Sequence, residues 1–357
     1  MVALALNARF ISGDEKAVTA TPSAKPAQTT VAAASAEPAM PEEIRGVHVT
    51  AALASLPGKL DSYLQLQGCG LNTIELDVKD ENGEVGFVRP AVPLARDVGA
   101  AKDYYDARQV AKKAKAAGVY LIGRVVVFED PQLAEHRPDL AIRTPGGDVW
   151  RTQLGLAWTN PYDPRVWDYN IDIAEAAARA GFDEIMFDYV RFPTDGTAPE
   201  VFNGKTGEAK WEVINRFVEA AAERLKPLGV RVSAAVFGLS ATRDLGIGQR
   251  PRLLAKHLDT IYPMVYPSHY VSGEYGIPDP SAEPDRTVSF SLLDFRKKLE
   301  GRTARIVPWL QDFFGYSVAD VTAQVTAVRR ARNVDPHVRG FMLWNSDGVY
   351  TDAAFGC

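Results

Sequence analysis

From Ile44 to the C-terminus the chain repeats one order: a short apolar run rich in β-branched and aromatic residues, a helical segment, a glycine, then another run. Runs of this kind alternating with helices specify parallel strands joined by helical crossovers. Eight are legible, near Gly46 to Thr50, Thr73 to Lys79, Tyr120 to Phe128, Glu184 to Arg191, Arg231 to Phe237, Thr260 to Tyr266, Arg305 to Gln311 and Gly340 to Trp344. Eight is the number that closes a barrel, so the expected fold is α/β, a (β/α)8 TIM barrel spanning 44–357.

The helices carry their own start and stop signals. Asp163-Pro164 supplies an N-cap and a proline at the first helical position, and Gly181 ends that helix. Gly118 and Gly229 end two others, while Ser317 and Asp320 have capping-box spacing before the last long helix. Two connections are long, 129–163 and 267–292. Both leave the C-terminal ends of strands, the face on which barrel enzymes keep their sites.

Residues 1–43 contrast with the rest. Residues 14–43 are rich in Ala, Thr, Ser and Pro with almost no large apolar side chain, so a disordered tail or tether over 1–43 is expected. The opening MVALAL is too short for a secretory signal. A tether of this composition suits an exported domain whose leader or anchor lies upstream, or else an ordinary disordered tail on a cytoplasmic protein, and membrane contact is expected only through such an anchor. A net charge of -5 with no basic run argues against a nucleic-acid partner. The two cysteines, Cys69 and Cys357, sit in no local motif, which excludes a disulfide framework and a zinc cluster.

Strand parity selects candidate site residues. In TIELDVK the set Thr73, Glu75, Asp77 and Lys79 points to the barrel axis, and Ile74, Leu76 and Val78 to the helices. Charges on the axis must pair or line a site. The third strand places Arg124 inward by the same rule, within reach of Asp77 or Asp188, and Glu129 lies just beyond it. On the fourth strand Asp188 is in phase with Glu184 and Met186 and emerges at the mouth, while Arg191 is out of phase and is expected to brace the rim. The seventh strand ends in Gln311 and Asp312. Two rim carboxylates are what glycoside hydrolysis requires.

Tyr266, Ser268, His269, Tyr270, Trp344 and Asn345 surround the same rim, with Trp150 and Trp158 in the third loop. Aromatic platforms beside amides and carboxylates suit a carbohydrate. The five histidines show no paired spacing, so no metal is expected and His48 reads as structural. Nucleotide-binding glycine motifs and a serine-nucleophile elbow are missing from the sequence, so no cofactor is expected.

FDEIMFDYVRFP, PMVYPSHY, PWLQDF and FMLWN, in this order and together with NTIELDVKDENGEV, closely resemble the glycoside hydrolase family first catalogued as a domain of unknown function. More faintly the chain is similar to glycoside-hydrolase-like proteins acting on cell-wall glycans and to family-18 chitinases, though it lacks the Asp-x-Asp-x-Glu ending of the latter. The resemblance implies a TIM barrel with glycosidase chemistry and Asp188 as the leading carboxylate.

The expected function is therefore hydrolysis of a polysaccharide, of a cell envelope or extracellular matrix, by two carboxylates. Asp188 is taken as nucleophile or base and Asp312 as general acid, its pKa raised by Trp309, Leu310 and Phe313, with Asp77 and Glu129 as rivals for that role. Substrate contacts are expected from Asp77, Lys79, Arg124, Glu129, Trp158, Tyr266, His269, Gln311, Trp344 and Asn345. A non-catalytic carbohydrate-binding barrel is the alternative.

Overall fold

All eight expected staves form, and every pairing between them is parallel. The structure is a computed structural model that describes residues 39–89 and 92–357. β1 (Ile44–Val49), β2 (Thr73–Lys79), β3 (Tyr120–Val126), β4 (Glu184–Asp188), β5 (Arg231–Phe237) and β6 (Thr260–Val265) pair in sequence. β6 then pairs with both β7 (Arg305–Ile306) and β8 (Trp309–Gln311), β8 with β9 (Gly340–Trp344), and β9 with β1. The sheet thus closes on itself and leaves no edge.

Two departures from the expected runs have local causes. The seventh stave is two short strands because Pro308, between them, has no N–H to give a ladder. The fourth ends at Asp188 rather than Arg191 because Tyr189 takes a left-handed conformation, φ 48°. That conformation is unusual for a bulky side chain, and it turns the chain sharply at the barrel mouth.

The strands are buried on both faces. Ile74, Leu76, Val78, Ile185 and Phe187 pack outward against the helices, while Ile122, Met186, Ala235, Tyr262, Trp309 and Met342 fill the interior. Truncating a fully buried ring such as Phe187 to alanine costs about 3–5 kcal/mol. Gly46 faces the interior where a Cβ would collide with Met342 Sδ, so glycine here makes room for the layer above. The helix Pro164–Ala180 begins and ends as expected: Asp163 accepts from the Arg165 N–H, and Gly181 caps in the left-handed region at φ 109°.

The tail expected at 1–43 lies outside the described residues as far as 38. Residues 39–43 lie against the barrel: Met40 packs on the interior cluster beside Thr260 and Arg305, and Glu42 pairs with Arg332 at 3.1 Å. The cysteines do pair. Cys69, in the turn after the first helices, is bonded to Cys357 with Cα atoms 5.2 Å apart. A single bridge is no framework, and neither cysteine sits in a local motif that announces it. Barrel closure makes β1 and β9 neighbours, so segments far apart in sequence meet. Among the described residues no helix is long and apolar enough to cross a membrane.

Candidate active site

Asp188 is the last residue of β4, and both of its carboxylate oxygens are held. The Tyr189 N–H donates to Oδ1 at 2.7 Å, and Arg124 Nε donates to Oδ2 at 2.9 Å. Arg124 also donates through Nη1 to Asp77 Oδ1 at 2.7 Å and Glu81 Oε2 at 3.3 Å. One guanidinium thus joins three rim acids in register, as the pairing of Asp77 with Arg124 on neighbouring strands requires. Burial opposes the charge on Arg124, yet Asp77, Asp188, Glu81 and Glu75 together hold its pKa well above the usual value. It therefore remains a fixed cation beneath Asp188.

Behind this pair lies a second set of buried groups. His48 Nδ1 is 2.5 Å from Glu75 Oε2, and its Nε2 is 3.6 Å from Asp77 Oδ2. Burial lowers His48 to about 4, so the imidazole is neutral at ordinary pH despite the pull of Asp77. Burial also pushes Asp77 up to about 7, against the attraction of His48 and Arg124, and raises Glu75 well above the carboxylate range. His48, Glu75 and Asp77 could offer one ligand atom each to a metal ion. Arg124, bonded to Asp77 and 3.9 Å from Glu75, already supplies the positive charge a metal would bring.

Above Arg124 and Asp188 opens a cavity of about 560 Å³. Tyr266, His269, Trp309 and Trp344 form one wall, and Tyr189, Arg191, Phe237 and Ile247 another. Trp344 is fixed from below: it stacks on His48 with ring centroids 4.0 Å apart, and the Arg124 guanidinium lies 5.1 Å from its centre. A carboxylate on a cationic floor, enclosed by rigid aromatic walls, can bind a sugar ring and present an oxygen to it.

The predicted residues fall into two groups. Asp188, Arg124, Tyr266, His269 and Trp344 line the cavity, with Asp77 immediately behind. Glu129 is 5 % exposed and lies near Arg191; burial raises it to about 7 against the Arg191 attraction. The Trp158 N–H faces Glu129 without completing a hydrogen bond of normal geometry.

Other candidates are brought elsewhere. Lys79 does not reach the axis: the register slips by one residue between Asp77 and Lys79, and the ammonium turns to Asp130 at 2.6 Å and Asn170 at 2.7 Å. Trp150 and Trp158 are fully buried rather than open platforms; Trp150 donates to the Ala198 carbonyl, and Trp158 lies under Arg191. Gln311 braces the rim by accepting from the Ser268 N–H and donating to the Phe313 carbonyl. Asn345 donates to the Asp312 carbonyl.

Asp312 ends β8's run much as Asp188 ends β4's, but it opens elsewhere. Its carboxylate accepts from the Thr351 N–H at 2.7 Å and the Thr351 hydroxyl at 2.9 Å. It lines a neighbouring depression with Phe314 and Tyr350, not the cavity of Asp188. Burial raises its pKa, as expected from its apolar neighbours, while Thr351 opposes the shift.

Sequence reasoning missed Glu81, which reaches Arg124 from the DENG turn after β2; its place two residues past the charged strand was the available signal. It also missed the wall after β5, including Leu239, Leu245 and Ile247, whose apolar side chains carry no chemical signature.

No curated protein matches the chain. Among solved structures, the PgaB (BpsB) glycoside hydrolase domain from Bordetella bronchiseptica superposes with a TM-score of 0.60 at 14% identity, covering 85% of this chain and 94% of that one. The catalytic domain of a beta-amylase from Paenibacillus polymyxa gives 0.53 at 11% identity over 88% and 95%. Flavobacterium johnsoniae chitobiase gives 0.54 at 12% identity over 88% and 47%. At such identities the likeness is one of fold. The family model described as "Putative glycosyl hydrolase domain" matches residues 46–350, and the chain belongs to that family.

Proposed function

We propose that the chain cleaves glycosidic bonds of a polysaccharide at the rim cavity, with Asp188 as the reacting carboxylate and Glu129 as the proton donor. The observation that carries this reading is Asp188 itself, fixed by Tyr189 and Arg124 on the floor of an aromatic-walled cavity at the C-terminal end of β4. Arg124 Nε gives Oδ2 a charge-assisted hydrogen bond that fixes the carboxylate in place on the cavity floor. Glu129 has the opposite environment: buried, and protonated up to about pH 7, it is suited to give a proton to a leaving oxygen.

Binding of the sugar falls to Tyr266, His269 and Trp344, and Arg124 holds the floor. The substrate proposed is a glycan of a cell envelope or extracellular matrix, met after export. The Cys69–Cys357 bridge supports that location, because disulfides persist in oxidising compartments.

The test is release of reducing ends from a polysaccharide panel by the purified chain, with Asp188→Asn as control. Cleavage by the native protein and none by the folded variant is expected. Equal activity of the two would remove Asp188 from the chemistry.

A further inference from the structure

We propose that Arg191 forms an anion-recognising subsite of the rim cavity, and that the glycan bound there carries a carboxylate on a sugar residue beside Asp188. This rests on the glycan-cleaving reading above and specifies its substrate class.

Arg191 is 8 % exposed and lines the cavity. Buried guanidinium groups are ordinarily paired with carboxylates, because removing the charge from water is costly otherwise. Arg124 obeys that rule. Arg191 does not: among the described residues no carboxylate forms an ion pair with it, and its one hydrogen bond is from Nη1 to the Phe192 carbonyl at 3.0 Å. Nε and Nη2 donate to no described protein atom, and neither is sealed away from the cavity.

Three rings surround the cation, with centres 4.8 Å away for Trp158 and Phe237 and 5.3 Å for Tyr189. Cation–π attraction stabilises the charge and holds the side chain in place. Tyr189 carries a hydroxyl, but neither Nε nor Nη2 is hydrogen-bonded to it. Nε and Nη2 form one edge of the guanidinium, the fork that meets both oxygens of a carboxylate at once.

Nearby acids do not fill this role. Asp188 is bonded to Arg124, not to Arg191. Glu129 acts on Arg191 through space but holds its proton up to about pH 7, so as a proton donor it is neutral when it works. Arg191 thus pairs directly with no carboxylate among the described residues, although Glu129, Asp188 and Asp195 act on it through space. A carboxylate of the ligand would supply the two acceptor oxygens that the Nε and Nη2 edge lacks.

The carboxylate could belong to the ring, as in a uronic acid, or to an ether substituent, as in muramic acid. Calorimetry on the full chain carrying Asp188→Asn separates the sources without turnover. The probes are oligoglucuronate, oligogalacturonate and a muramic-acid-containing glycan fragment, each beside its carboxyl-reduced form.

Binding of at least one acid form should be tenfold or more tighter than binding of its reduced partner. Adding Arg191→Met should bring the pair within twofold, and Arg191→Lys, which keeps the charge but not the fork, should restore part of the preference. No preference in any pair overturns the proposal, as does a preference that survives in folded Arg191→Met. Should Arg191→Met fail to fold, the comparison of acid with reduced probes decides alone. Failure of the hydrolytic reading shows separately, as no reducing ends released by the native chain.

Discussion

The ends of β4 and β8 look alike in sequence and differ in use. Each is an apolar strand with an aspartate at the barrel mouth, Asp188 as the last residue of β4 and Asp312 directly after β8. Around Asp188 the partners are a charged guanidinium and an open cavity; around Asp312 they are the backbone and hydroxyl of Thr351. The β4 sector keeps a buried charge available to a ligand, and the β8 sector spends its carboxylate tying the last loop to the rim. Position on a strand thus says where a carboxylate emerges, while the neighbouring element decides what it does.

The largest effect expected from breaking this contrast is in the β4 sector. Asp188→Asn should lower kcat by about 10³-fold or more, with the far-ultraviolet circular dichroism spectrum and Tm close to those of the native chain. Next, Glu129→Gln should lower kcat/KM by about 10²-fold. It should also change the pH profile: the native enzyme loses activity as pH rises through about 7, where Glu129 gives up its proton, and the variant should lack that limb. A variant that keeps the limb assigns it elsewhere, with Asp77 the first alternative.

In the β8 sector, Asp312→Ala should leave kcat/KM within about threefold and appear instead as a loss of about 1–3 kcal/mol in urea unfolding, because Thr351 loses its acceptor. A loss of activity as large as that of Asp188→Asn would reverse the comparison. The smallest effect concerns pH and stability. Asp77 and Glu129 keep protons in the folded chain up to about pH 7 that the unfolded chain releases near the ordinary carboxylate range. Each favours folding at low pH and withdraws that contribution as pH rises toward 7. His48, lowered to about 4, works in the opposite direction between pH 4 and 6.5 and offsets only part of this, so stability in chemical denaturation should still fall as pH rises toward 7. His48→Gln should make that fall steeper.

Much of the architecture was legible because it depends on periodicity and punctuation. Eight apolar runs, the proline-started helix after Asp163 and the inward parity of Arg124 and Asp188 all follow from rules that neighbours seldom override. Lys79 was misplaced because a register slip breaks the two-residue alternation, and no residue in TIELDVK announces it. Trp150 and Trp158 were misplaced because sequence does not distinguish an aromatic covering a site from one beneath it. The charged network around His48 was half legible: parity assigned Glu75 and Asp77 inward, but only three-dimensional closure brings β1 beside β2 with a histidine between two carboxyl groups. Arg191 was read as a brace for the rim; its free donor edge depends on the absence of partners, which a sequence does not record.

The bond between Cys69 and Cys357 spans 288 positions of sequence, so in the oxidised molecule most of the chain is a covalent ring laid around a ring of hydrogen bonds. A protease that cuts once in the long segment between β3 and its helix would open the first ring and release nothing. Such a nicked molecule would migrate at full mass until a reductant is added and then separate into two pieces. Such a cut would in that case be tolerated without loss of the parts that Asp188 needs around it.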